Sequence, residues 1–319
     1  MSSHLVELLI TKGYGLADED FDEIIRMDRL KDISQNFAES IHKIQESFHC
    51  KARIRVVEFD ELSGVDFGSN SSYNTAIFVG RHIFYNSISS NKNCCVVFFY
   101  AGVVEKLKAL FKDRILPHEF AHHYQFAYGD FPCMLGKGVP ENLFPQFAKS
   151  NPIGPESGQV YIDNLLVKDC RLSLFKDLTE RISDTICEGM LRERGFCQGI
   201  LEQYRTDRNI DPGRGLPPSQ QPAIRYFRRL SLWDVAEWHA ILRLVYPNDQ
   251  AVKSMSSQDR RFAIRLNKEF DRAKNAFKAV YDLCLKTDYN TFKEVKNCID
   301  YMKEIMRFLN IELRTDQIW

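Results

Sequence analysis

The most informative stretch of this sequence is Leu116-Pro117-His118-Glu119-Phe120-Ala121-His122-His123-Tyr124. It contains three of the eight histidines in the chain. It lies within residues 103–128, whose apolar side chains recur at helical spacing. Because proline lacks an amide hydrogen and clashes with the carbonyl four residues before it, we expect a kink or a fresh helix start near Pro117. The pattern predicts a helix, interrupted once, around which the rest of the chain can be arranged.

Towards the N-terminus the pattern changes from helical to extended. Residues 19–48 have apolar side chains mostly three and four positions apart, which predicts an amphipathic helix with at most one break. Residues 52–59 and 75–86 are rich in branched and aromatic side chains, which predicts strands. Residues 68–74 supply turn formers between them, so we expect an antiparallel sheet.

Towards the C-terminus the chain is predicted to be helical between loops. Residues 129–159 contain five prolines, which predicts a loop-rich insertion. Residues 172–194 repeat an apolar side chain every four positions, which predicts a second strong helix that ends at Gly195. Residues 206–222 indicate a surface loop or hinge, and everything after them has the helical period, as in 230–245, 257–285 and 289–309.

These elements predict an α+β fold. We expect a small mixed lobe over residues 1–130, with a short antiparallel sheet, that ends with the histidine-bearing helix. A mainly helical lobe over residues 131–319 follows, and the histidine-bearing helix lies at the junction of the two lobes. A ligand is expected in the cleft between them.

Composition narrows the class of protein. The chain has 319 residues, of which 44% are hydrophobic and 27% charged, as in ordinary globular proteins. Lysine plus arginine equals aspartate plus glutamate at 43 each, so no net charge attracts nucleic acid or anionic lipid. The nine cysteines form no CxxC framework, and no apolar run approaches the ~20 residues of a spanning helix. We expect a cytoplasmic protein with neither a nucleic-acid nor a membrane partner.

His118-Glu119-x-x-His122 is a pattern with a specific chemical meaning. Positions four apart on a helix project from one face, so the two imidazoles can reach a single cation. Glu119 is directed away from direct ligation but can accept a proton from water activated at the metal. His123 points off this face, and we expect it at the surface or hydrogen-bonded behind the ligands.

Two histidines leave a catalytic zinc site one protein ligand short. The first candidate for the third ligand is Glu180, with Asp184 four residues later on the second strong helix. One of these carboxylates could bind the metal while the other accepts the N–H of a ligand histidine. The alternative for this pair is a solvated acidic stripe.

The two segments together resemble the gluzincin metallopeptidases of the thermolysin and neprilysin type. In that family the active helix carries HExxH, and a later helix carries a glutamate ligand followed four residues on by an aspartate. The resemblance covers two helices of this chain. It implies that His118, His122 and Glu180 are zinc ligands, that Glu119 is the general base and that Asp184 orients a ligand histidine.

The chain departs from the thermolysin type in the distance between the two segments. His122 and Glu180 are separated by 57 residues, so an insertion must loop out, and residues 129–159 are its candidate and a possible lid. Glu141, 18 residues after His122, is at the spacing of aminopeptidase-like gluzincins, but prolines bracket it and no aspartate follows. Glu188, one turn beyond Asp184, is a third choice of ligand.

Peptide hydrolysis also requires a donor for the developing oxyanion. His239 in the helical half is the candidate, since gluzincins place such a group there, and Tyr226 and Arg225 are weaker alternatives. Residues 75–86 are the candidate strand for main-chain pairing with an extended substrate.

The sequence therefore predicts a zinc-dependent peptidase that acts on a peptide or protein through metal-activated water. The alternative is a non-catalytic or single-partner regulatory protein that retains a structural zinc site.

Overall fold

The computed structural model describes parts of the chain in detail. These parts are residues 30–59, 85–91, 94–100, 105–125, 160–162, 165–167, 171–207, 237–238, 241–243, 245–250, 252, 294–309 and 311–313. Within them the fold is broadly α+β, as the sequence predicts. The chain divides into two compact units, one of Met1–Pro140 with Met190–Gly199 and one of Glu141–Gly189 with Ile200–Trp319.

The first unit contains a four-stranded sheet. Its strands are β1 (Leu30–Asp32), β2 (Arg53–Phe59), β3 (Tyr85–Asn91) and β4 (Cys94–Tyr100), in the order β1-β2-β4-β3. β2 and β4 are parallel, with Arg53 opposite Cys94 and Phe59 opposite Tyr100. β1 is antiparallel to β2, and β3 is antiparallel to β4 with a register shift between Ser89 and Asn91.

The mixed sheet corrects the antiparallel sheet predicted from the sequence. Its two central strands are parallel and buried on both faces, because consecutive residues such as Val56 and Val57, or Val96 and Val97, are all fully buried. Such continuous apolar runs are typical of parallel strands covered on both sides. β4 comes from an apolar run that is too short to span a membrane and has the ordinary length of a strand.

The N-terminal helix predicted over residues 19–48 is shorter than expected. Residues before Leu30 lie outside the described part, Leu30–Asp32 is strand β1, and α1 extends only over Ala38–Ser47 after a 3-10 turn at Ser34–Phe37. The Asp32 carboxylate accepts hydrogen bonds from the Ser34 amide, at 2.9 Å, and from its hydroxyl, at 2.5 Å. This local turn replaces the first part of the expected helix.

The histidine stretch lies in one continuous helical run. The run consists of α2 (Glu105–Leu110), a π-helical turn (Phe111–Ile115) and α3 (Leu116–Tyr124), and α3 packs against β3 and β4. The fresh helix start expected near Pro117 corresponds to α3, which begins at Leu116 directly after the π-helical turn. Pro117 cannot donate to the carbonyl four residues back, and the wider turn accommodates the missing bond.

The second predicted helix is confirmed as α4 (Arg171–Glu193). The predicted apolar stripe is buried at Ile182, Ile186 and Met190, and Gly195 follows with φ +78°, a conformation that favours glycine. α4 belongs to the second unit up to Gly189 and to the first unit from Met190.

The second unit combines helices with a small sheet. Its described elements besides α4 include α5 (Ile200–Asp207) and α6 (Val295–Leu309), and α6 confirms most of the helix predicted over residues 289–309. Strands β5 (Val160–Ile162), β6 (Leu165–Val167) and β7 (Ile311–Leu313) pair in the order β6-β5-β7, so the expectation of helix alone in the C-terminal half is wrong. Three-residue strands are too short for a period-two pattern to stand out. No helix in the described ranges combines the length and apolar character needed to cross a membrane.

Candidate metal centre

α3 brings His118 and His122 together on one face. Their Nε2 atoms are 3.2 Å apart, and the ring centroids are 4.9 Å apart with the ring planes at 86°. Both histidines are half-buried, whereas their neighbours Glu119, Phe120 and Ala121 are buried. The i, i+4 spacing of the sequence therefore places both rings at the edge of the core, with their Nε2 atoms turned towards each other.

The separation of the two Nε2 atoms is the one that a shared metal ion requires. Two nitrogens bound to one tetrahedral zinc at about 2.05 Å are about 3.3 Å apart. At 3.2 Å the two rings can also share one proton, with one nitrogen as donor and the other as acceptor according to the tautomers. The geometry of the ring pair suits a cation or a proton at the same point.

Glu119 occupies the position next to the first histidine that a general base requires in this motif. The residue is only 7% exposed. Because the Glu119 carboxylate is shielded from bulk solvent, the water from which it can accept a proton is water that has entered the site.

His123 does not lie at the surface, which was one of the two expectations for it. It is 1% exposed, and its ring centroid is 5.3 Å from that of Phe120. The surface alternative is therefore wrong, because the face of α3 that carries His123 packs into the core.

The end of α3 is held by an aromatic cluster around Phe48, the residue that follows α1. The Phe48 ring centroid is 5.2 Å from that of Phe120 and 5.1 Å from that of Tyr124. Phe196, beyond the end of α4, is the third ring around Phe48, at 6.2 Å. Aromatic pairs at these separations add to the burial of their surfaces, so the cluster fixes the C-terminal end of the histidine-bearing helix.

α4 carries the acidic residues predicted to complete the site. Asp184 is half-buried between Ser183 and Thr185, which are 1% and 2% exposed, and Glu188 is 5% exposed. The backbone of Glu180 lies in α4, and its side chain is outside the described part of the structure. A solvated acidic stripe does not describe Asp184, because its neighbours along the helix are buried.

The other predicted site residues lie outside the described ranges. They are Glu141, Arg225, Tyr226, His239 and the candidate lid at residues 129–159. Of the candidate substrate strand, residues 75–86, only Tyr85 and Asn86 are described, and they begin the edge strand β3.

Arg114 is a buried charged residue near the site that the sequence patterns do not single out. It is 1% exposed and lies in the π-helical turn, four residues before His118. The sequence signal for its burial is that Arg114 is flanked by the apolar residues of a helical stripe. A charge that is buried in this way requires compensating interactions.

Comparison with protein-family models, curated proteins and solved structures finds no match to this chain. The resemblance to gluzincins therefore depends on the two short segments alone.

Proposed function

We propose that this protein is a zinc-dependent peptidase in which His118 and His122 bind the metal and Glu119 is the general base. The observation that carries the proposal is the 3.2 Å separation of the two Nε2 atoms, on a helix turn that also carries the buried Glu119. Two histidines with a purely structural role do not require a carboxylate at position 119. Metal-assisted hydrolysis requires one, because a base must accept the proton of the attacking water.

The third ligand is a carboxylate of α4. Asp184 is supported by its surroundings on α4, because it is half-buried between two buried residues, Ser183 and Thr185. Glu180 stays the ligand that the gluzincin resemblance implies, with Asp184 then accepting a ring N–H. Glu188 and Glu141 remain the alternatives.

The reaction assigns separate tasks to the protein groups. Bound zinc would polarise the scissile carbonyl and lower the pKa of water towards about 7. Glu119 accepts a proton from the attacking water and delivers it to the leaving amine. A carboxylate that receives the N–H of a ligand histidine fixes its tautomer and orientation. His239 remains the proposed donor to the oxyanion.

The substrate is proposed to be an extended peptide or protein segment that pairs with β3. The support is that β3 is an edge strand of the described sheet and that α3 packs against it. An unpaired strand edge offers main-chain donors and acceptors to an added strand.

The finer lobe layout belongs to the same proposal. We propose a mixed lobe over residues 1–130 that ends with α3, and a mainly helical lobe over residues 131–319 that supplies the third ligand. A cytoplasmic location and the absence of nucleic-acid and membrane partners complete it.

The test combines metal analysis with peptide hydrolysis. Purified protein should bind one zinc ion, His122→Ala should lose both the metal and hydrolysis of a peptide library, and Glu119→Gln should keep the metal. Hydrolysis by Glu119→Gln at the wild-type rate would remove the general base from the proposal. Zinc binding without hydrolysis of any peptide favours the structural zinc site of a regulatory protein.

A zinc titration of further variants identifies the third ligand. Asp184→Asn, Glu180→Gln and Glu188→Gln are compared for zinc affinity, and the true ligand is the one whose substitution weakens binding most. Glu39→Gln, an exposed carboxylate in the first turn of α1, is the control.

A further inference from the structure

Arg194 follows directly after α4 and contacts the aromatic cluster at the end of α3. Its guanidinium carbon is 4.6 Å from the ring centroid of Phe48 and 5.5 Å from that of Tyr124. These distances are those of a cation over an aromatic face. The Arg194 side chain is only 18% exposed, so water screens these contacts poorly.

The same side chain is also bonded to the end of its own helix. Arg194 Nη1 donates to the backbone carbonyl of Met190 at 3.2 Å and lies 3.7 Å from the Glu193 carboxylate. Met190 and Glu193 form the last turn of α4. Arg194 therefore joins the last turn of α4 to Tyr124, the last residue of α3 and the second residue after His122.

Gly199 makes a second contact between this segment and the histidine-bearing helical run. It has φ +81°, and a Cβ atom there would lie 2.8 Å from Leu110 Cδ2 and 3.4 Å from Arg114 Cβ. The backbone at Gly199 thus approaches the run as closely as the missing side chain permits. Residues 194–199 therefore contact the run both in its first half and at its end.

From these contacts we propose that Arg194 is a positioning residue, which sets zinc affinity by holding the end of α4 against α3. The inference depends on the proposed function, in which α4 supplies the carboxylate ligand. α4 is continuous from Arg171 to Glu193, so fixing its last turn also limits how its carboxylates can move. Asp184 precedes Met190 by under two helical turns, a distance over which a helix is stiff.

The expected size of the effect follows from the strength of the cation–ring interaction. Removing a poorly solvated cation from two ring faces shifts the population of the held arrangement by about 5- to 30-fold. The apparent zinc Kd is the intrinsic Kd divided by the fraction of protein in the held arrangement. If only that arrangement binds the metal and it is the minor one in the metal-free protein, the apparent zinc Kd rises by the same factor.

The experiment measures zinc Kd by competition with a chromophoric chelator, with the Tm of the metal-free protein recorded in parallel. Arg194→Met keeps a long unbranched side chain and removes the charge, and we expect its zinc Kd to rise at least about fivefold. Arg194→Lys keeps the cation without the planar group, and we expect an intermediate Kd. Arg192→Met, on the exposed side of the same turn, is the control and should match the wild type.

The two readouts separate positioning from general stability. A lower Tm with a zinc Kd within about twofold of the wild type would overturn the inference, because Arg194 would then serve only the fold. If Arg194→Met does not fold, Tyr124→Leu removes one of the two rings and must raise the zinc Kd in its place. Wild-type protein that binds no zinc rejects the proposed function, and this inference with it.

Discussion

Asp32 and Arg55, on neighbouring strands, form an ion pair of 3.2 Å, and His118 and His122, on one helix face, place two ring nitrogens at that same distance. The Asp32–Arg55 contact joins opposite charges, so the two groups attract each other without a bound ion. The second joins two groups of the same kind, which attract each other only through a shared proton or cation. The same distance is therefore an ion pair between two strands in one case, and in the other the spacing from which we propose a metal site.

The surroundings of the ion pair support its structural role. Asp32 also accepts two hydrogen bonds from Ser34, whose hydroxyl oxygen in turn accepts the Val56 amide at 2.9 Å. Burial would raise the pKa of Asp32, but the bonds from Ser34 and the charge of Arg55 outweigh it and lower that pKa below its ordinary value. The carboxylate is committed to holding β1 and the following turn on β2.

The largest expected effect is at Glu119. Glu119→Gln should lower kcat for peptide cleavage by about 10²- to 10⁴-fold, because the proton acceptor is lost. Zinc content and Tm should stay close to those of the wild type, since the amide has the same shape. Steady-state kinetics with metal analysis of the same sample make the measurement. A variant that loses its zinc would instead make Glu119 part of the binding set.

The next effect is at Arg55 and falls on stability. Arg55→Met should lower the free energy of unfolding by about 1–3 kcal/mol, less than for a fully buried pair because Asp32 is 33% exposed. Urea unfolding followed by circular dichroism measures it. Arg53→Met, on an exposed position of the same strand, should change it by less than about 0.5 kcal/mol. Loss of zinc affinity in Arg55→Met would break the comparison, because both pairs would then serve the metal.

A third effect is the dependence of this stability on pH. Because the pKa of Asp32 is lowered in the folded state, its carboxylate stabilises the protein above the ordinary pKa of about 3.9. That contribution disappears as pH falls through the lowered pKa. The unfolding free energy of the wild type should therefore exceed that of Asp32→Asn at about pH 6, and the difference should shrink as the solution is acidified towards about pH 3. If the difference in unfolding free energy instead grows on acidification, the prediction is wrong, because the pKa of Asp32 would then be raised by folding.

The smallest effect concerns residues outside both pairs and serves as a reference for the stability measurements. His49 is exposed and has φ +49°, where glycine is favoured, so His49→Gly should raise the free energy of unfolding by about 0.5 kcal/mol. Gly195→Ala is the opposite change, at φ +78° with no atom within 4 Å of the added Cβ. It should lower that free energy by about 1 kcal/mol. Urea unfolding measures both changes. A change in unfolding free energy at Arg55 that is smaller than these two would be too small to interpret.

The elements that are most predictable from the sequence are those with long, regular apolar periods. The predicted and observed bounds of α4 agree within a residue at each end, because five apolar side chains at intervals of four are a long and regular helical signal. β2 is indicated by its branched and aromatic residues. β4 is not, because a continuous apolar run has no period, and the parallel pairing of β2 with β4 depends on contacts between distant segments.

The candidate site divides in the same way. His118, Glu119 and His122 follow from local helix geometry, so their spacing alone indicates a metal. The choice among the carboxylates of α4 does not follow from spacing, because Glu180, Asp184 and Glu188 are one turn apart and each could face a cation. Nothing in the sequence pattern points to Arg194, because Phe48 and Tyr124 are far from it along the chain.

Local patterns thus determined which helix carries the histidines and that the segment of β2 is extended, since backbone geometry repeats over a few positions. Tertiary structure decided that His123 is buried, that Asp32 is held by Arg55 and Ser34, and that Arg194 stacks on two rings. The physical reason is that burial and pairing depend on which surfaces meet, and surfaces from distant segments meet only when the chain has folded.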